Sequence, residues 1–152
     1  GLLGGLMARG QQPWQIRPNP ELKGRLGRLV VTFPEGAVPT NTLVEVLKDG
    51  KGVQSGFGNR SWELLSGTYD VEISGKRISN VTVQPGHDTT VKVGTLRVSA
   101  GKETLVKVLD AGKELAAGYG DRLIGLPPGS YDLQVAGGTE RVTVQEGKIT
   151  DF

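Results

Sequence analysis

Residues 126–138, LPPGSYDLQVAGG, nearly reproduce residues 64–76, LLSGTYDVEISGK. The copying extends well beyond these lines. TLVEVLKDGK at 42–51 returns as TLVKVLDAGK at 104–113, 62 positions on (42 to 104), and GFGNR at 56–60 returns as GYGDR at 118–122 in the same register. VTVQPG at 81–86 returns as VTVQEG at 142–147, one position short of that register, which places a lost residue in the intervening turn. A chain of 152 residues that repeats itself over most of residues 27–152 contains two copies of one folding unit.

Within each copy the apolar residues recur every second position. Tyr69, Val71 and Ile73 alternate with Asp70, Glu72 and Ser74, and Tyr131, Leu133 and Val135 alternate with Asp132, Gln134 and Ala136. Successive strand side chains point to opposite faces, so each set makes one buried stripe and one wet one. Asp49-Gly50 and Ala111-Gly112 separate such runs as hairpin turns. Pro127-Pro128-Gly129 predicts a type II corner, with Pro128 presetting φ and Gly129 supplying the positive one. No stretch after residue 26 keeps a period of 3.6. The expectation is an all-β fold of about seven short strands per copy. It comprises two tandem small Ig-like or transthyretin-like β-sandwich modules, preceded by an extended N-terminal arm. The boundaries read as 1–26 for the arm, 27–93 for the first module and 94–152 for the second. Only Gly94 and Thr95 separate the last strand of one copy from the first of the next, which predicts a semi-rigid pair.

Charge narrows the partners. Arg9, Arg17, Lys23 and Arg25 face only Glu21 in residues 1–26, so the arm carries +3 of a net +2, while residues 27–93 balance and residues 94–152 carry −1. Without a basic face on the repeats, nucleic acid is not an expected partner. With no cysteine, neither disulfides nor thiolate metal sites enter the argument. GLLGGLMA at 1–8 is too short to span a bilayer and reads either as the end of a signal or anchor segment or as a processed terminus.

The strand, Pro/Gly turn and G-x-Y-x-hydrophobic-x-V pattern, best seen over residues 94–137 in GTLRVSAG…LVKVLDAGKELAAGYG…LPPGSYDLQV, resembles carboxypeptidase-regulatory-like, or transthyretin-like, sandwich modules. These are appended to von Willebrand factor type A proteins of bacterial envelopes, and the pattern is also similar to PEGA and Cna B-type surface repeats. The resemblance implies an extracytoplasmic location, at the periplasm or cell surface, and a structural or protein-binding role. Cna B-type modules can carry a Lys–Asn isopeptide crosslink. Here the conceivable trio is Lys48, Glu63 and Asn80, with Lys48 expected on a wet face, so no crosslink is expected.

Chemistry is sparse. His87 is the only histidine, in the turn PGHDT, and lacks partners for a triad or a metal cluster. GFGNR and GYGDR do not complete a phosphate-loop pattern; they read as turns beside packed aromatics, Phe57 and Tyr119. Trp62 aligns with Ile124 and is expected in a core stripe, whereas an exposed position would make it a sugar-stacking platform. Tyr69 and Tyr131 are expected to bury their rings and bond their hydroxyls near the preceding turn, as in a tyrosine corner. No catalytic, cofactor-binding or metal-binding residues are predicted, and no cofactor.

The arm is the strongest functional lead. RGQQPWQIRPNPELKGR holds three prolines and one large aromatic, which favours extended backbone with no internal hydrogen bonds. It either lies along its own modules or docks into a groove on another protein, and docking is the favoured reading. Leu3, Leu6, Met7, Arg9, Trp14, Ile16 and Arg17 are the expected partner-binding residues. A membrane surface met by residues 1–17 is the further option. The sequence thus reads as a non-catalytic accessory subunit that contacts protein subunits of a membrane-associated envelope complex. A carbohydrate- or cell-wall-binding module is the alternative.

Overall fold

The computed structural model describes residues 12–152, and fifteen strands form among them. The segment ahead of the repeats contributes β1 (Trp14–Pro18). The first repeat follows with β2 (Leu26–Thr32), β3 (Leu43–Lys48), β4 (Lys51–Phe57), β5 (Arg60–Leu65), β6 (Gly67–Ile73), β7 (Lys76–Val83) and β8 (His87–Lys92). The second supplies β9 (Gly94–Val98), β10 (Leu105–Asp110), β11 (Lys113–Tyr119), β12 (Arg122–Leu126), β13 (Gly129–Val135), β14 (Gly138–Val144) and β15 (Ile149–Asp151). The all-β expectation stands.

The expected pair of tandem Ig-like or transthyretin-like sandwich modules is corrected. The strands hydrogen-bond into four separate small sheets in a propeller-like arrangement, ordered β1-β8-β2-β5, β4-β3-β6-β7, β12-β9-β15 and β11-β10-β13-β14. The likeness to carboxypeptidase-regulatory-like, transthyretin-like, PEGA or Cna B-type sandwiches is corrected with it, since no such sandwich is shown. Of the two placements expected for the extended arm, residues 14–18 take the one along the chain's own modules, as the edge strand of the first sheet. The reason is common to the fold and the resemblance. Alternation says that one face of a strand is buried, but not which strands share a sheet or what that sheet packs against.

Each repeat brings its first and last strands together in parallel, β2 with β8 and β9 with β15, while the other pairings are antiparallel. One cluster of buried side chains, including Leu29, Val31, Val44, Val46, Val71 and Val91, draws on residues 29–93. Another, including Leu96, Val98, Val106, Val108, Leu126 and Leu133, draws on residues 96–144. The inward residues are those the alternation picks out, and β-branched side chains dominate them because they fit a pleated, half-buried surface.

Turns follow the sequence closely at the hairpins. Asp49-Gly50 and Ala111-Gly112 take positive φ at both positions, 52° and 79° in one and 49° and 84° in the other, the signature of a type I′ turn. The predicted type II corner at Pro127-Pro128-Gly129 does not form. Gly129 has φ of 158°, far from the roughly +80° that corner needs, and already belongs to β13. The residue missing from the second repeat is not lost from a turn either. In the first repeat it is a bulge: the β6–β7 register shifts between Tyr69 and Val71, with Asn80 at φ 60°, whereas β13 and β14 pair without interruption.

Candidate interaction surfaces

The predicted arm residues divide at the start of the described chain. Leu3, Leu6, Met7 and Arg9 lie outside the described residues. Trp14, Ile16 and Arg17 lie on β1, which runs antiparallel to β8 with Trp14 opposite Val91, Ile16 opposite Thr89 and Arg17 opposite Asp88. Val91 and Thr89 face the core, so Trp14 and Ile16 share that face; both are half-buried, and Trp14 packs against the first cluster. Gln15 and Arg17 point the other way and are exposed. On that outer face the register aligns Arg17, Asp88, Arg28 and Glu63 across four strands, alternating in sign. Arg28 and Glu63 approach to 3.8 Å, and Asp88 accepts a 2.8 Å hydrogen bond from the Asn19 side chain just past β1. Opposite charges across strands favour this register over a slipped one. Exposed pairs of this kind contribute alignment more than stability.

Beneath each Pro/Gly or Ser/Gly turn lies a tyrosine hook. The Tyr69 hydroxyl donates to the Leu65 carbonyl and the Tyr131 hydroxyl to the Pro127 carbonyl, each at 2.6 Å. Burial pushes the Tyr131 phenol well above its ordinary range, with Asp110 adding to the effect, and burial raises Tyr69 in the same direction. Both expected tyrosine roles are present.

The two repeats are joined by more than the short link. The Gly125 N–H donates to Thr42 Oγ1 at 3.0 Å, Ser74 Oγ donates to the Gly125 carbonyl at 2.8 Å, and Thr95 Oγ1 donates to the Ala37 carbonyl at 2.7 Å. Lys76 pairs with Asp110 across the same boundary. Gly125 is required there because a Cβ would sit 2.3 Å from the Phe33 ring. A cleft of about 440 Å³ runs along this junction, walled on one side by Asn41, Thr42, Leu43, Glu45, Ser74 and Gly75 and on the other by β11 and the start of β12. Arg122 lies over Gly118 at its margin with Nε buried and unpartnered, whereas its counterpart Arg60 donates Nε to the Phe57 carbonyl at 3.0 Å.

Phe57 and Tyr119 are corrected from packed to exposed aromatics, 53% and 64% exposed. Each stands on the outer face of its sheet opposite a leucine, Leu43 or Leu105. The period-two rule applied outward from Val44 and Val106 assigns them that face, so the signal was present. Trp62 is half-buried against the first cluster. His87 opens β8 with Nδ1 2.8 Å from the Pro85 carbonyl. Lys48 donates to the Thr68 carbonyl and sits over the Tyr69 ring, Glu63 faces Arg28, and the Asn80 N–H donates to Asp70. Among the described residues no group of three or more His, Asp or Glu is placed to hold a metal ion, and no helix is long and apolar enough to cross a membrane.

No family model matches the chain, and no curated protein matches it. Among solved structures it is similar to the Bacillus anthracis TIE protein, with a TM-score of 0.37 and 18% identity over 83% of this chain and 33% of that one. The chain thus spans about a third of that protein's length. A similarity at this level supports no assignment of function.

Proposed function

We propose that the chain is a non-catalytic structural and protein-binding subunit of a larger extracytoplasmic assembly, and that it docks through its N-terminal segment. The observation that carries this reading is the placement of β1. Trp14 and Asn19 secure the segment to the body, while Gln15 and Arg17 remain exposed and the outer edge of β1 is unpaired among the described residues. An unpaired strand edge offers N–H and C=O groups to an extended partner segment. Residues 1–11, which carry Leu3, Leu6, Met7 and Arg9, precede this strand in the sequence. Crosslinking from residues 9 and 17 in cells, followed by identification of the captured protein and fractionation of the cell, tests both partner and location. Loss of capture with Arg17→Glu and with removal of residues 1–11 is expected. Capture unchanged by both removes the proposal.

Carbohydrate binding is the second reading, favoured by the recurrence of an exposed aromatic at the same place in both repeats, Phe57 and Tyr119. Retention on cell-wall polysaccharide that disappears in the Phe57→Ala, Tyr119→Ala double variant would support it over protein docking.

A further inference from the structure

The surface on which the first repeat receives the second is present again on the second repeat, where no described residue covers it. A groove of about 540 Å³ on the outer side of β10 and β13 is lined by Glu103, Thr104, Leu105, Lys107, Ala136 and Gly137, among others. Each of these six stands 62 positions after one of the six first-repeat residues that wall the inter-repeat cleft (41 to 103 through 75 to 137). The counterpart of the other wall is uncovered as well. In the junction that wall is β11, where Leu115 and Ala116 are half-buried. Its first-repeat equivalent, β4, is exposed from Lys51 to Ser55, and Val53, at the position of Leu115, is 44% exposed. Among the described residues, one molecule therefore leaves a receiving face open on its second repeat and an inserting face open on its first.

We propose that these faces bind each other between molecules, so that β4 and β5 of one protomer seat in the β10–β13 groove of the next. The junction within the chain is the template for this contact, and its one steric constraint reverses consistently. Inside the chain the receiver is bulky and the inserted strand bare, Phe33 against Gly125. Between chains the receiver is small and the inserted strand bulky, Ala100 against Glu63, the residues at the corresponding positions. The Phe33 and Ala100 positions are equivalent in the structure too: their N–H groups donate to Asn59 and Asp121 at 2.8 and 2.9 Å. Glu63, half-exposed beside Arg28, would enter a groove that holds Lys107 where the junction holds Glu45. The inserting and receiving faces differ, so the contact is heterologous and propagates head to tail instead of closing as a two-fold dimer.

Sedimentation of the full chain from roughly 5 µM to roughly 500 µM tests this, a range that brackets dissociation constants of about 50 µM. Mass is expected to rise with concentration beyond that of a dimer. Gln134→Lys with Thr139→Lys in the groove, or Val53→Lys on the inserting face, should each weaken association about tenfold or more. Gln134 and Thr139 lie on an outer strand face and Val53 at an exposed bulge, and an unchanged circular dichroism melt verifies folding; Glu103→Arg is the alternative groove variant. An equimolar mixture of groove and insertion variants has one intact interface and should yield a 1:1 dimer that grows no further. A monomer throughout, association indifferent to both variants, or a mixture that fails to pair each overturns the proposal. Association abolished by removing residues 1–11 but unaffected by the groove variants also overturns it, and moves the contact to the N-terminal segment.

Discussion

Phe33 occupies the space where residue 125 would carry a Cβ, and this contact shows how single positions hold the two repeats together. Gly125→Ala forces the ring to shift inside a packed boundary, and a loss of about 1–3 kcal/mol is expected in chemical denaturation. Combining it with Phe33→Leu should cost less than the two changes separately, because they share one space. At Tyr131 the buried hydroxyl donates to the Pro127 carbonyl. Tyr131→Phe leaves that carbonyl without its donor and should destabilise by about 1–2 kcal/mol. The same residue sets an alkaline limit. Its phenol is held above the ordinary value of 10.0 in the folded state, so the folded chain keeps a proton that the unfolded chain releases. The stability this represents is complete below pH 10 and declines as pH rises above it. Alkaline unfolding monitored by near-ultraviolet circular dichroism should therefore begin above pH 10 and be blunted in Tyr131→Phe.

At the scale of strands, β1 and β15 are the elements whose attachment is most exposed to test. β1 is held by its ladder to β8, by Trp14 at the edge of the core and by Asn19 on Asp88. Trp14→Ala removes a half-buried ring, with an expected cost of about 2 kcal/mol, and should deprotect the β8 amides facing β1 in hydrogen exchange before the rest of the sheet. β15 is a three-residue strand whose Asp151 takes a two-pronged contact from Arg97, the longer arm at 3.1 Å. The hydrogen bond from Arg97 holds the Asp151 carboxyl below its usual value of 3.8. That contribution is present above pH 3.8 and is lost as pH falls through the lowered value. Amide exchange at residues 149–151 should accelerate below pH 3.8, and Arg97→Gln should remove this pH dependence.

For the molecule as a whole, the junction between repeats decides whether the chain behaves as one body. The three cross-boundary hydrogen bonds from Gly125, Ser74 and Thr95 predict a single cooperative unfolding transition. Ser74→Ala together with Thr42→Val removes two of them. The expected calorimetric result is a split into two transitions, one for each cluster of buried residues, since each cluster draws on one repeat.

The sequence by itself determined the alternating strands of the two repeats, their hairpin turns and the buried stripe of valines, leucines and tyrosines, because side-chain direction within an unbroken strand depends on the parity of position. Tyr69 and Tyr131 were legible for the same reason, two residues into an alternating run that starts at a glycine. Partnership was not legible. Nothing local in WQIRP says that it will pair with His87–Lys92, some seventy residues away, and only the tertiary structure joined them. The junction was half-written in the sequence: Phe33, Ser74, Lys76 and Gly125 are positions where the repeat departs from itself, to Ala100, Ala136, Gly138 and Glu63. Departures from a repeat mark where the surroundings of its copies differ, but which surfaces meet there is a property of three-dimensional packing. The division into four small sheets was decided at that level too, by contacts distant in sequence that no alternation encodes.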